Sequence, residues 1–317
     1  MPELLCLRSF CYILLISMNL NSPIYIAGVK FGNKLMNGAY IGSKSENDIA
    51  TLSNSASGAL LVGSISVKPR KSNPDGGYWL HKEKFYALNS FGMPNGGLPY
   101  FQAKLPEIVK LAHECSKPLL VNIVGFSSGE FIELINLAQE SGADMVELNF
   151  SCPNVWEKGQ QERIISYHPD MITEILRFIS KRGFTIKIGV KISPLPPDIL
   201  PDCVRAIVDS GVVSFVTATN SYPNAALSSG TKKAGDYKNI LSGMTGRALK
   251  PISLGVVRQL HELLPKKVDI IGCGGISSAN DVADYLLSGA KAVQIVTALM
   301  NEGSSIFERI LYQSALI

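Results

Sequence analysis

Cysteine is sparse in this sequence, and its spacing argues against several classes of protein. The six cysteines lie far apart, and no two of them form a CxxC pair. Zinc sites and iron–sulfur clusters need closely spaced thiolates, and small secreted scaffolds need dense disulfides. The sequence therefore predicts free thiols in the reducing environment of the cytoplasm and no metal centre.

Charge and long apolar runs are also limited. The formal net charge is only +4, and aromatic residues do not cluster among the basic ones, so there is no nucleic-acid footprint. The apolar stretch Cys11–Ser17 has seven residues, whereas a membrane span needs about 20. We interpret residues 1–17 as an apolar leader or a mis-assigned extension, with a weak signal or an interfacial anchor left open. The working domain is expected over residues 18–317.

Apolar residues are abundant and are arranged in short runs. Hydrophobic residues make up 46% of the 317 positions, which suits one α/β barrel of about 250 residues with insertions. Eight runs have the nearly continuous apolar character of parallel strands covered on both faces. They are Lys34–Ala39, Gly58–Ser64, Pro118–Gly125, Ala143–Phe150, Ile186–Ile192, Val213–Ala218, Val268–Gly272 and Ala292–Val296.

Amphipathic segments with helical spacing lie between these runs. Most begin after Pro, Ser or Asn and end at Gly or Pro. They are Pro106–Ser116, Gly129–Gly142, Pro169–Gly183, Ile199–Gly211, Ile252–Pro265 and Ala279–Gly289. The alternation predicts a single α/β domain, a (β/α)8 TIM barrel, with a doubly wound open sheet as the alternative.

Two connections are longer than ordinary loops. Ser66–Pro99 follows the second predicted strand, and Asn220–Gly246 follows the sixth. Both would rise from the C-terminal face of a barrel, where long insertions are usually lids or substrate loops.

Three glycine-rich or hydroxyl-bearing elements converge on one corner of the predicted barrel. They are Gly272–Gly275 after the seventh strand, Val296–Ala298 at the end of the eighth, and Ser242–Gly246 before an intervening helix. Glycines let backbone N–H groups approach an anion, and a helix N-terminus adds its positive end. We interpret the group as a phosphate site; the alternative is that the glycines only make tight turns.

Polar residues follow the fourth predicted strand. Asn149 and Asn154 offer amides that can recognise a ring carrying both N–H and C=O groups. Cys152 lies between them, and a thiol with its pKa lowered towards neutrality can act as a general base. The alternative for Cys152 is a small buried hydrophobe.

A lysine ends the fifth predicted strand. Lys191 can reach only the mouth of the barrel, where a cation near N1 of a flavin stabilises the reduced ring. The alternative is a solvated strand end. Further donors and close backbone approach come from Asn220 and Ser221 and from the segment Asn89–Asn95.

With these motifs, the chain resembles the class 1, cysteine-type dihydroorotate dehydrogenases over about Phe31 to Arg309. The segments that carry the resemblance are NSFGMPNGG (Asn89–Gly97), LNFSCPNV (Leu148–Val155), GVK (Gly189–Lys191), TNS (Thr219–Ser221), SGMTG (Ser242–Gly246) and IGCGGI (Ile271–Ile276). The first two together are far more specific than any glycine motif alone. The membrane-bound class 2 enzymes carry a serine where this chain has Cys152.

The resemblance implies oxidation of dihydroorotate to orotate in pyrimidine biosynthesis, with flavin mononucleotide (FMN) as cofactor. Cys152 would take the proton from C5 while hydride moves from C6 to flavin N5. The implied substrate-binding residues are Asn89, Met93, Asn149, Asn154, Asn220 and Ser221. The implied cofactor-binding residues are Ala39, Lys191, Gly243, Gly246, Gly274, Gly275 and Thr297. A homodimer and an electron-transfer partner subunit are the partners that the resemblance suggests.

Three departures from the family pattern bear on the substrate. Gly63 stands where the family has a lysine that touches the flavin and the substrate carboxylate, Gly77 replaces a family arginine, and Tyr40 replaces a small residue. Lys68 and Arg70 are the nearest candidates in sequence to replace the lost cation. Two alternatives follow: an FMN oxidoreductase acting on a neutral dihydropyrimidine or another cyclic substrate, and a flavin-binding homologue without turnover.

Overall fold

The computed structural model describes residues 19–74, 76–157, 160–227 and 241–316. The interpretation of residues 1–17 therefore lies outside the described residues, as does part of the second long insertion. No helix within the described ranges is long and apolar enough to cross a bilayer. The cysteines in these ranges, at positions 115, 152, 203 and 273, are free thiols.

Eight parallel strands form the central barrel, and each coincides with one of the eight predicted runs. They are β1 Leu35–Asn37, β2 Leu60–Ile65, β3 Leu119–Ile123, β4 Met145–Asn149, β5 Lys187–Ile192, β6 Val213–Ala218, β7 Asp269–Cys273 and β8 Ala292–Ile295. The order around the sheet is β1-β8-β7-β6-β5-β4-β3-β2. The two ends meet at a parallel bridge between Met36 and Ala59 and at Asn37, whose amide hydrogen-bonds both backbone groups of Leu61. The barrel prediction is confirmed, and the open sheet is excluded.

Helices surround the barrel in the order that a (β/α)8 fold requires. They are α1 Glu46–Ser53, α2 Gly97–Glu114, α3 Ser128–Glu140, α4 Pro169–Ser180, α5 Leu200–Asp209, α6 Lys250–Leu263, α7 Ala279–Leu287, α8 Thr297–Glu302 and α9 Ser305–Ala315. Short 3-10 helices span Ile165–Tyr167 and Arg247–Leu249. The six helical segments named above correspond to α2 through α7, and α1, α8 and α9 lie outside those six.

A short hairpin closes the N-terminal end of the barrel. Its strands are Ile24–Ile26 and Val29–Phe31, and both Ile26 and Phe31 are fully buried among side chains inside the barrel. The backbone N–H of Ala27 donates to Asp269 Oδ2 at 2.7 Å, which attaches the hairpin to the start of β7. The opposite end of the barrel is left for a site.

The two long insertions pair with each other at the C-terminal end. Strands Tyr78–Leu80 and Ala87–Asn89 come from the first insertion, and Tyr222–Ala225 and Ser242–Thr245 come from the second. They form one antiparallel four-stranded sheet in which Asn89 pairs with Gly243. A further two-stranded ladder joins Trp156–Glu157 to Gln160–Gln161 after β4. The described parts of both insertions therefore lie where the barrel prediction put them.

Candidate active site

The loops at the C-terminal end enclose a small cavity of about 90 Å³, which we call the Cys152 cavity. Cys152 and Lys191 border it together with all six predicted substrate-binding residues. The six are Asn89, Met93, Asn149, Asn154, Asn220 and Ser221. Side chains that are distant in sequence thus meet around one space, as the resemblance implied.

Hydrogen bonds between side chains orient the amides of this cavity. Asn154 Nδ2 donates to Asn89 Oδ1 at 2.9 Å. The Ser151 hydroxyl donates to Asn149 Oδ1 at 3.0 Å and accepts from Asn220 Nδ2 at 3.0 Å. Amides held in this way present defined donors and acceptors to a ring that carries both N–H and C=O groups.

Burial raises the pKa of the Cys152 thiol above its usual range. A backbone hydrogen bond at Asn154 and the positive charges of Lys44 and Arg70 oppose this rise but do not overcome it. The expectation of a pKa lowered towards neutrality is therefore wrong, because the loss of solvation outweighs the nearby cations.

Lys191 is held at the end of β5 by a buried polar chain. Its ammonium donates to Gln294 Oε1 at 2.7 Å, and Gln294 Nε2 donates to Glu147 Oε2 at 2.8 Å. The Glu147 carboxyl also accepts from Asn122 at 2.6 Å and from Thr217 at 2.5 Å. Lys191 is 3% exposed. The alternative of a solvated strand end is thus excluded, and the ammonium is fixed at the mouth of the barrel.

A second cavity, of about 330 Å³, lies beside the glycine elements, and we call it the glycine cavity. Gly246, Gly274, Gly275 and Thr297 border it, as predicted for a phosphate site. Gly274 and Gly275 have φ values of +132° and +70°, and a β-carbon at Gly275 would lie 2.7 Å from the Gly246 carbonyl oxygen. Arg247 also borders the cavity. Backbone N–H groups of a glycine loop and a nearby cation are groups that bind a phosphate.

A third cavity, of about 110 Å³, joins the first two. It shares Gly274 and Thr297 with the glycine cavity, and Ala39, Asn89 and Lys191 with the Cys152 cavity. The three cavities therefore lie side by side, in a series that runs from the glycines to Cys152.

Gly243 occupies a different place from the one implied for it. It lies in the small sheet rather than at the border of the glycine cavity, and a β-carbon there would lie 2.4 Å from Ser221 Oγ. The same β-carbon would lie 3.3 Å from Asn154 Nδ2. The absence of a side chain at Gly243 therefore makes room for the Ser221 hydroxyl and the Asn154 amide.

Neither cation suggested as a substitute for the family lysine borders the Cys152 cavity. Lys68 is exposed. The Arg70 guanidinium lies 5.0 Å from the centre of the Phe126 ring, and its Nε donates to Gly92 O at 3.3 Å. Among the described residues that do border this cavity, the basic ones are Lys191 and Lys44.

Three residues of the site were missed from sequence. Lys44 lies on the loop between β1 and α1, Gln294 lies in β8, and Tyr285 lies in α7. The Tyr285 hydroxyl donates to Gly274 O at 2.6 Å and so holds the glycine loop. Gln294 interrupts an apolar strand, which is a signal that a sequence can show. Lys44 has no comparable signal.

A larger cavity, of about 480 Å³, reaches Cys152 from outside the barrel axis. Val124, Phe126, Val155 and Ile164 border it along with Cys152. Cys152 therefore borders this cavity as well as the Cys152 cavity.

Comparison with known proteins identifies the family. The dihydroorotate dehydrogenase family matches residues 23–315. A Streptococcus uberis protein named putative dihydroorotate dehydrogenase A (fumarate) is 32% identical over 286 residues, covering 90% of this chain and 89% of the relative. The dihydroorotate dehydrogenase A (fumarate) of Lactococcus lactis subsp. lactis is 31% identical over 290 residues, covering 90% of each chain. The chain belongs to the dihydroorotate dehydrogenase family.

The relatives' names place the resemblance in class 1, as the cysteine predicted. Family members are flavoproteins, and they are oxidoreductases that act on CH–CH donors. The dihydroorotate dehydrogenase of Eimeria tenella, solved in complex with ferulenol, has a TM-score of 0.75 at 20% identity. The match covers 99% of this chain and 90% of that one, and it shows a shared fold.

Proposed function

We propose that this protein oxidises dihydroorotate to orotate with FMN as cofactor and Cys152 as general base. The observation that carries the proposal is that a thiol, a buried lysine and four amide side chains border one cavity. A third cavity shares lining residues with this one and with the glycine cavity. The relatives' names point to the same substrate and make fumarate the first electron acceptor to test. Pyrimidine biosynthesis is the pathway that consumes orotate.

The residues around the joined cavities fit FMN. Gly246, Gly274, Gly275 and Thr297 would hold the phosphate, and Lys191 would face the ring. When bound, FMN accepts a hydride from the substrate at N5. Ala39 borders the middle cavity, where a small side chain leaves room for a flat ring.

The protein's own contribution to chemistry is proton removal and orientation. Asn89, Asn149, Asn154 and Asn220 orient the substrate ring through its amide groups. Cys152, as the thiolate, takes the proton from C5, and a positioned base of this kind typically contributes about 10²–10⁴ in rate. The amides also position C5 towards the thiol, since general-base catalysis needs hydrogen-bond reach.

Flavin reduction should speed up as the pH rises. The active form is the thiolate, so the rate is high above the pKa of Cys152 and is lost as the pH falls through it. Because burial raises that pKa, the midpoint should lie above the value of about 8.5 usual for cysteine, with about a tenfold fall per pH unit below it. Single-turnover flavin reduction by dihydroorotate from pH 6 to pH 10 measures this. A plateau already reached at pH 7 would contradict it.

The proposed function is tested by an anaerobic half-reaction. Purified protein should be yellow and release FMN on denaturation, and dihydroorotate should bleach its flavin absorbance. Dihydrouracil and dihydrothymine serve as ring-matched compounds without a carboxylate. Faster bleaching by the neutral compounds would favour the alternative suggested by Gly63, an oxidoreductase of neutral dihydropyrimidines. No bleaching by any of the three would favour a binding protein without turnover.

A further inference from the structure

The loop between β1 and α1 packs against the position where the family lysine is missing. Gly63 N–H donates to the backbone oxygen of Ser43 at 2.8 Å, and Ser43 Oγ lies 3.2 Å from Gly63 O. Lys44 is the next residue along the chain. The loop between β1 and α1 thereby places Lys44 next to Gly63 of β2, where the family has a lysine.

The backbone of Lys44 is anchored on both sides. Its own N–H donates to Asp48 Oδ2 at 3.1 Å, and that of Ser45 donates to the same oxygen at 2.9 Å. Ser45 and Asp48 also form the capping box of α1. The start of α1 and the contacts of Ser43 therefore fix the backbone position of Lys44. Its side chain is not held by these contacts.

The side chain extends into the Cys152 cavity. Lys44 Nζ donates to the backbone oxygen of Pro94 at 2.7 Å, within the NSFGMPNGG segment. Lys44 borders the cavity along with Cys152, Asn149 and Ser64. An ammonium has three N–H donors, so the bond to Pro94 leaves two that a ligand in the cavity can use.

We propose that Lys44 binds the carboxylate of the substrate and takes the place of the family lysine absent at Gly63. The proposal rests on the function proposed above and names the residue that selects an acidic ring over a neutral one. A carboxylate that enters a partly desolvated cavity needs a cation or strong donors, or it stays better solvated outside. Lys191, the other basic residue at this cavity, donates to Gln294 and is the residue proposed above to face the flavin ring.

The electrostatics of Lys44 agree with this role. Burial lowers the pKa of Lys44 to about 8, and the opposing attractions of Cys152 and Asp48 are smaller. A bound carboxylate would raise the pKa of Lys44 again, because each charge stabilises the other.

The test measures ligand binding to flavin-loaded protein, and the change in the flavin absorbance spectrum reports the binding. Orotate carries the carboxylate, and uracil is the same ring without it. We expect Lys44→Met to raise the dissociation constant of orotate about 10- to 100-fold and that of uracil by less than about twofold. Lys44→Arg should recover part of the orotate affinity because it keeps the charge.

Lys68→Met is the matched control, since Lys68 is exposed on the loop after β2. It should leave both dissociation constants unchanged. Unchanged orotate binding in Lys44→Met, or equal weakening of orotate and uracil, would overturn the proposal. Flavin content per chain reports whether each variant folds, and Lys44→Gln offers a second neutral variant. If orotate binds but dihydroorotate does not bleach the flavin, the proposed function fails while the role of Lys44 is still measured.

Discussion

Cys152→Ala is expected to slow flavin reduction by dihydroorotate at least 100-fold while flavin binding stays intact. The thiol borders the Cys152 cavity but not the glycine cavity, so its removal takes away the base without disturbing the phosphate site. The magnitude follows from the factor of about 10²–10⁴ that a positioned base contributes. Anaerobic stopped-flow absorbance measures the rate, and the flavin released per chain measures the binding.

Cys115→Ala is the matched control for this variant. Cys115 is an exposed free thiol at the end of α2, so its loss should leave the rate unchanged. Cys152→Ser should keep some activity that rises with pH, because a serine hydroxyl is far less ionised than a thiol near neutrality. Unaltered flavin reduction in Cys152→Ala would return the residue to a small side chain that only fills space.

The barrel could be predicted because each of its strands is a short apolar run. Parallel strands covered on both faces need that pattern, and β6, Val213–Ala218, matches its predicted bounds in full. Helix α1 was missed because it has only eight residues, of which Ile49 and Leu52 supply the apolar contacts. Its capping box at Ser45 and Asp48 is a signal that could have located it.

The site was predictable in part. The side chains of the LNFSCPNV and NSFGMPNGG segments were expected together, and they do meet around the Cys152 cavity. The roles assigned to them remain predictions. Lys44 could not be found in the same way. Its position beside the Cys152 cavity depends on the hydrogen bond between Ser43 and Gly63, which lie in neighbouring barrel units. The direction of the Cys152 pKa was misjudged because desolvation depends on packing that a linear sequence does not display.

Restoring the family lysine at its own position should damage the protein rather than improve it. Gly63 has a φ of +133°, and a β-carbon there would lie 2.3 Å from the backbone oxygen of Asn122 on the adjacent strand. Both atoms belong to the buried barrel, so neither can move away cheaply. Backbone strain and this overlap together should cost about 3 kcal/mol or more in the free energy of unfolding. At roughly 2–4 °C per kcal/mol, Gly63→Lys should lower the Tm by about 6–12 °C.

Gly255→Ala is the control for this substitution. Gly255 lies in α6, and a β-carbon added there would have no atom within 4 Å. The Tm of the Gly255→Ala variant should therefore stay the same or rise slightly. Orotate binding provides the second readout. If Lys44 already binds the orotate carboxylate, Gly63→Lys should not tighten orotate binding. In the Lys44→Met background, Gly63→Lys should not restore orotate binding. A Gly63→Lys variant with an unchanged Tm and tighter orotate binding would show that the barrel accepts a lysine at this strand. In that case Lys44 would not be a replacement for the family lysine.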